Sequence, residues 1–341
     1  MKRWIKRIFL TSFWGFLAAI CIVIGLFYYQ GFRPAGDNTQ AQTFEVLPGV
    51  TLKQVAQELQ KQGLIQNSGA FQALAYFQKK QKKIMIGEFS LSPSMLPSAI
   101  LSLITSGKTV LHPITIPEGY RASEIAALLH SQGLVNRDKF ISETRNESLI
   151  QSLGITATNL EGYLFPETYH FSKYTLEKMI VKKMVATFKD QVFTPQTLKS
   201  VKESSLSLHE IITLASLIEK ETSLDSERKL ISSVFHNRLR KNMRLQTDPT
   251  VIYALKNFDG NIRKRDLTID SPYNTYRYKG LPPGPIANPG IKSIAAAISP
   301  KPSNYLYFVS RQDGSHQFSS TLVKHNLAVQ KYQLRKVRSR R

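Results

Sequence analysis

The sequence predicts an α+β protein behind a single N-terminal transmembrane helix. Three observations carry the prediction: an uncharged apolar run at residues 8–29, a strand–turn–helix pattern that occurs twice, and a long C-terminal region, residues 145–335, in which strand-like pieces do not alternate regularly with helical stretches as a doubly wound sheet requires. The chain has 341 residues, enough for two or three domains, and 42% hydrophobic with 10% aromatic residues excludes a wholly disordered polybasic protein. Its formal charge is +22 and its pI about 10.0. Ten of those charges sit in two acid-free stretches, residues 1–7 and 331–341. Such a charge invites a nucleic-acid partner through counterion release, and the apolar run argues against one.

Residues 1–7, with Lys2, Arg3, Lys6 and Arg7, read as a cytoplasmic tail. Residues 8–29 carry no charge, and about 20 apolar residues span a hydrocarbon core of roughly 30 Å. A cleaved signal peptide would have an apolar core of about 7–15 residues and a small-residue A-x-A site, which is missing before Arg33. The cations before the run outnumber the one close behind it, so the N-terminus is expected in the cytoplasm and the rest beyond the cell (inner) membrane, periplasmic or extracytoplasmic. Nucleic acid is then not expected as a partner. The one cysteine, Cys21, lies inside the span, so neither disulfides nor Cys-based metal sites are expected in the exported part. His209-Glu210 lacks a second His at the position of Thr213, so the zincin pattern fails. No metal or cofactor is expected.

Residues 30–43 lack apolar periodicity and read as a linker. From Phe44 a repeat emerges: residues 46–65 match 114–135 at an offset of 70 beyond a small insertion at Glu118, pairing Val55 with Ile125, Leu59 with Leu129, and Gln62-Gly63-Leu64 with Gln132-Gly133-Leu134. Each copy reads as strand, turn, one-sided helix and a glycine stop in the left-handed region. Between them Gly87 to Leu91 alternates like a strand, and Ala99 to Ser106 has helical spacing. Small β-α units of this kind resemble LysM-like glycan-binding modules, and equally suit a spacer. The repeat region is taken as 44–144.

The third region, 145–335, holds helical stretches at about 174–190, 207–221 and 226–241. The second closes on two carboxylates, Glu219 and Glu221, which lie about 200° apart around a helix axis and cannot share one site side by side. Glu221 falls on the face of Leu214, Leu217 and Ile218, and Glu219 beside Ile212, Ala215 and Ser216. Either could sit in an apolar recess as a proton donor near neutral pH, or both could end an ordinary solvated helix. The run Gln246-Thr247-Asp248-Pro249-Thr250 predicts an ordered polar turn with donors and acceptors suited to sugar hydroxyls. Residues Tyr273 to Tyr276, followed by the Pro- and Gly-rich 280–290, predict a stiff loop that suits a groove wall or a plain connector. Tyr305 to Val309 predicts a strand, and His316 after it is a candidate site residue or a structural hydrogen-bonder.

These runs, taken in order with Glu161-Gly162-Tyr163-Leu164-Phe165-Pro166, Ala215-Ser216-Leu217-Ile218-Glu219-Lys220-Glu221, Asn237-Arg238-Leu239 and Gly280-Leu281-Pro282-Pro283-Gly284-Pro285-Ile286, resemble the endolytic murein transglycosylases, the YceG-like (MltG) family, from the anchor to about residue 330. The resemblance implies a single-pass membrane protein with a LysM-like subdomain and a catalytic domain at 145–335 that faces the cell wall, followed by a basic tail at 336–341. It implies a lyase that cuts the β-1,4 bond between N-acetylmuramic acid and N-acetylglucosamine inside peptidoglycan glycan strands, leaves a 1,6-anhydromuramyl end and thereby ends strand elongation. Penicillin-binding peptidoglycan synthases are the implied partners, and anionic wall polymers or lipid headgroups suit the basic surface. The first Glu of the E-K-E run, Glu219, is the implied catalytic acid and base. Gln246, Asp248, Asn274 and Tyr276 are candidates for holding the sugars, with Glu161 and His316 beside them. Glu167 and His236 depart from the family pattern. A hydrolytic muramidase and a catalytically silent glycan-binding scaffold are the competing readings.

Overall fold

The computed structural model describes residues 2–334, and within the first helix the side chains of residues 12–27, 29, 31 and 32. The basic tail at 336–341 and the side chains of residues 1–7 lie outside the described residues. The described protein is a mixed α+β chain that divides into two compact units, residues up to His112 with His170–Tyr174, and Pro113–Tyr169 with the chain from Thr175 onward.

In the first unit, α1 runs over Lys2–Phe32. Among the described residues no helix is long and apolar enough to cross a membrane. The expected span at 8–29 falls within α1, and residues 8–11 and Tyr28 have no described side chain. Then come β1 (Gln42–Val46), α2 (Leu52–Lys61), α3 (Ser68–Phe77), β2 (Gly87–Leu91) and α4 (Pro97–Ser106). β1 and β2 pair antiparallel with Phe44 opposite Phe89, and both rings enter one apolar cluster with Val55, Leu59, Phe71, Ile100 and Leu101. Each such buried side chain contributes about 1.5–3 kcal/mol. α2 starts on a reciprocal cap between Thr51 and Gln54.

The chain enters the second unit within β3 (Leu111–Thr115), which pairs with β4 (Thr168–Ser172). Next are α5 (Ala122–Ser131), α6 (Arg137–Thr144), α7 (Glu147–Ser152), α8 (Glu177–Val192), α9 (Pro195–Glu203), α10 (Leu208–Glu221), α11 (Asp225–Arg240) and α12 (Asp248–Ala254). A 3-10 turn, Asp266–Thr268, leads on to α13 (Ile291–Ile298), the hairpin β5 (Tyr307–Ser310) and β6 (His316–Ser319), α14 (Leu322–Val329) and a π-helical turn, Gln330–Leu334.

The two sequence repeats form the same local structure. Gly63 and Gly133 have φ of +69° and +68°. Leu64 N–H donates to Leu59 O at 2.9 Å and Leu134 N–H to Leu129 O at 3.1 Å, so each helix ends in a Schellman motif. The copies nevertheless fall in different units: residues 114–135 group with the following 200 or so residues rather than with 44–112, which departs from the expected boundary at 144/145. The physical reason is that α5 packs on α6 and α6 on α8.

α10 is the centre of the second unit. Ser207 and Glu210 cap it reciprocally, and every residue from Ile211 to Ile218 is buried, with α11 and α13 packed against it. The Pro- and Gly-rich loop lies along it: Ile286 N–H donates to Ser216 Oγ at 3.0 Å, and His209 Nε2–H donates to Pro283 O at 3.1 Å. That leaves His209 Nδ1 to accept from Tyr163 OH at 2.8 Å. Asn288, fully buried, ties three segments together. Its Oδ1 accepts from Gly162 N–H and Leu164 N–H, both at 2.9 Å, while Nδ2 donates to Tyr120 O at 2.9 Å and Glu161 Oε1 at 3.0 Å. Gly162, at φ +89°, could carry no side chain, because a Cβ would lie 2.4 Å from Pro285 Cγ.

Candidate active site

α10 ends by sending its two carboxylates into different surroundings. Glu219 points to an ionic cluster whose outer members, Glu118 and Asp225, are about half exposed. Arg228 Nη1 donates to its Oε1 at 3.0 Å and Gly290 N–H to its Oε2 at 3.0 Å, with Glu219 and Arg228 side chains each 7% exposed. Arg228 also bonds Ser293 Oγ at 2.6 Å and Asp225 at 3.1 Å. Glu118 approaches Gly290 so closely that a Cβ there would lie 1.8 Å from its Oε1, and burial together with the Glu219 charge pushes the Glu118 carboxyl up. Both Glu219 oxygens are thus engaged by the fold.

Glu221 faces a cavity of about 520 Å³ whose walls include Arg238, Gln246, Asp248, Tyr276, Tyr307 and His316. Thr247 Oγ1 donates to Glu221 Oε1. Thr247 is itself fixed, its N–H donating to Thr275 Oγ1 at 3.1 Å and its carbonyl accepting from Thr250 Oγ1 at 2.7 Å. Burial pushes the Glu221 carboxyl up to about 7; the Thr247 hydroxyl, His316 and Arg238 oppose this, and the Asp248 charge adds to it. A carboxyl poised there holds its proton near neutral pH and releases it to a substrate oxygen.

The cavity walls are built from distant chain. Arg238 on α11 donates to Leu306 O at 2.6 Å and Leu245 O at 2.7 Å, joining the start of the hairpin to the segment before α12. Tyr276 OH donates to Asp248 Oδ1 at 2.5 Å. Gln246 adopts φ +51° and its N–H donates to Thr275 O at 3.2 Å, which leaves its exposed side-chain amide without a protein partner among the described residues. His316 is held by Glu227, whose Oε1 accepts from the His316 backbone N–H at 2.9 Å and whose Oε2 accepts from Nδ1 at 2.7 Å, so Nε2 is the ring nitrogen left for the cavity.

Gln246, Asp248, Tyr276 and His316 are therefore brought together, and around Glu221 rather than Glu219. Two other expected residues lie elsewhere. Asn274 is fully buried and spends its amide locally, donating to Leu267 O and Ile269 O at 3.0 and 2.9 Å and accepting from Tyr276 N–H at 3.0 Å. It shapes the loop, and its full burial keeps it out of reach of a sugar. Glu161 is buried against Ala122 N–H, Asn288 and Tyr253 and lines a separate cavity. The sequence reading did not single out Thr247, Arg238 or Glu227 as site residues. Thr247 and Arg238 stand inside the quoted motifs, and no local signal marks Glu227. Among the described residues no group of three or more His, Cys, Asp or Glu could hold a metal ion.

A model of the YceG-like family matches residues 44–331. Over 313 residues the chain is 37% identical to the endolytic murein transglycosylase of Bacillus subtilis, an alignment that covers 87% of this chain and 86% of that protein. It is 31% identical over 340 residues to the endolytic murein transglycosylase of Streptococcus pneumoniae, covering 89% of this chain and 61% of that longer protein. The crystal structure of a yceG-like protein from Listeria monocytogenes superposes with a TM-score of 0.59 at 34% identity, over 85% of this chain and 99% of that one. The matched span runs from β1 to the π-helical turn and takes in the surroundings of both carboxylates, so the chain belongs to the YceG-like family.

Proposed function

We propose that this protein is an endolytic murein transglycosylase that cuts the bond between N-acetylmuramic acid and N-acetylglucosamine within glycan strands, with Glu221 as its acid and base. The observation that carries the reading is geometric: the Glu221 carboxyl, fixed by Thr247, lies at the wall of a 520 Å³ cavity together with Gln246, Asp248, Tyr276 and His316, and burial there raises its proton affinity. Relatives covering most of the chain and carrying that activity's name support the substrate.

The mechanism follows from one such carboxyl. Glu221 donates its proton to the glycosidic oxygen as the bond to C1 breaks, and the muramyl N-acetyl oxygen stabilises the positive charge at C1. The Glu221 carboxylate then takes the proton of the C6 hydroxyl as O6 bonds to C1. The 1,6-anhydro ring closes, Glu221 is protonated again, and no water is consumed. Gln246, Asp248 and Tyr276 hold the sugars, with the Tyr276–Asp248 bond setting the carboxylate's direction. Glu219, to which the resemblance assigns the catalytic role, is the alternative acid and base, with Arg228 and Gly290 N–H holding its two oxygens in place.

In the same reading α1 anchors the protein to the membrane with its N-terminus in the cytoplasm. Trp14, Phe16, Ile22, Val23 and Ile24, all more than half exposed, support this. The β1–α2 and β3–α5 units act as LysM-like modules, and cleavage of nascent strands beside a peptidoglycan synthase ends their elongation. Incubating the full chain and its Glu221→Gln variant with uncrosslinked glycan strands, followed by mass spectrometry, tests the activity. Anhydromuramyl ends from wild type alone are expected; reducing ends, heavier by one water, would mean a muramidase, and intact strands a binding scaffold.

A further inference from the structure

A second cavity of the catalytic unit, about 890 Å³, is lined by Arg121, Arg137 and Arg145, with Glu161 and Tyr253 among its other walls. Arg121 stands at the N-cap of α5, Arg137 opens α6 and Arg145 caps its end. Among the described residues none of the three arginines has an ion-pair partner, and the Arg121 guanidinium carbon lies 5.1 Å from the centroid of the Tyr253 ring. Two acids share the walls, Asp138 on α6 and the buried Glu161, which accepts bonds from Ala122 N–H, Asn288 and Tyr253 and is attracted to Arg121; three guanidiniums against two carboxyls leave the lining net basic. Unpaired guanidinium forks around a concave surface match carboxylates bidentately.

The spacing narrows the ligand. Arg137 and Arg145 lie eight residues apart on α6, which places them about 12 Å apart along the axis and about 80° apart around it. An extended peptide covers that length in about four residues. The cavity also has a fixed relation to Glu221. Asp248, at the start of α12, lines the Glu221 cavity, and Tyr253, near the end of the same helix, lines this one, a separation of about 7.5 Å along the axis. We propose that this cavity binds the short acidic peptide that murein glycan strands carry on their muramyl residues, with Arg121, Arg137 and Arg145 pairing its carboxylates. The assignment rests on the murein-cleaving reading and adds to it a preference for strands that still bear their peptides.

The test is calorimetric titration of the full chain in detergent with a muramyl tetrapeptide, with the same compound after amidation of its carboxylates, and with inorganic phosphate. The acid form is expected to bind, with the amidated form and the Arg137→Glu/Arg145→Glu and Arg121→Gln variants at least about tenfold weaker. Equal binding of acid and amidated forms by wild type, a comparison that needs no variant, overturns the proposal, as does phosphate binding as tightly as the peptide. Cleavage separates this idea from the activity itself. Anhydro ends released equally fast from peptide-bearing and peptide-stripped strands would leave the transglycosylase standing and refute the peptide site. Absence of anhydro ends from both would refute the transglycosylase, and the titration then decides the peptide site by itself.

Discussion

Exchanging each carboxylate at the end of α10 for its amide separates the two roles. Glu219→Gln removes the charge facing Arg228 in a pair whose side chains are both 7% exposed. Breaking a buried pair from one side costs about 3–5 kcal/mol; the amide oxygen keeps the Gly290 bond, so about 3 kcal/mol is expected, a fall in Tm of roughly 6–12 °C. Glu221→Gln should act in the opposite direction. Its carboxyl titrates at about 7 in the fold against 4.5 in the open chain, so the native state binds the proton more tightly and folding is penalised as pH rises through that window. The full penalty, about 3 kcal/mol, is present above pH 7 and absent below pH 4.5. The amide cannot ionise, so the variant should be more stable than wild type at pH 8 and equal to it at pH 4. Turnover of glycan strands, quantified by mass spectrometry of anhydro ends, should fall about 100- to 10,000-fold for Glu221→Gln and persist in folded Glu219→Gln. Wild-type kcat/KM should decline above about pH 7 as the acid loses its proton. Full turnover by Glu221→Gln, with loss in well-folded Glu219→Gln, would refute the assignment and return the role to Glu219.

Three further outcomes follow from the packing and the hydrogen bonds. Gly162→Ala places a methyl 2.4 Å from Pro285 Cγ at a φ of +89°; a loss of about 3 kcal/mol or more in chemical denaturation is expected, with the loop displaced from α10. Asn288→Ala leaves the buried N–H groups of Gly162 and Leu164 without an acceptor and should cost about 2–4 kcal/mol by the same measurement. Tyr276→Phe removes the hydroxyl that orients Asp248; KM for glycan strands should rise severalfold while Tm changes by no more than about 3 °C.

Much of the scaffold was legible because it follows local rules. The boundaries of α10 and α11, the strand at β2 and the two glycine-terminated helices come from periodicity and caps that any one segment carries. The run 246–250, expected as a polar turn, became the start of α12, with Thr247 as its N-cap and Pro249 in its first turn, where a missing N–H costs nothing. The site was legible only in part. A helical wheel separates Glu219 from Glu221, but which face meets a cavity is decided by Arg228, Arg238, Thr247 and His316, all brought in from other elements. Asn274 shows the converse. Its side-chain amide suits sugar binding, yet it is fully buried and makes three bonds to its own loop.

The Asn288 junction also bears on the order of events during synthesis. Its amide is the acceptor for Gly162 and Leu164, which leave the ribosome well over 100 residues earlier. At about 5–20 residues per second, those donors and the Glu161 carboxyl wait roughly 6–25 s for their partner. Contacts closed across so long a loop form late. The N-terminal unit, whose β1–β2 pair and helices are all complete by residue 106 apart from the short return at His170–Tyr174, has time to fold first. The α10 carboxylates should then acquire their distinct environments only in the last stage, which keeps the emerging chain catalytically silent until almost all of it has been made.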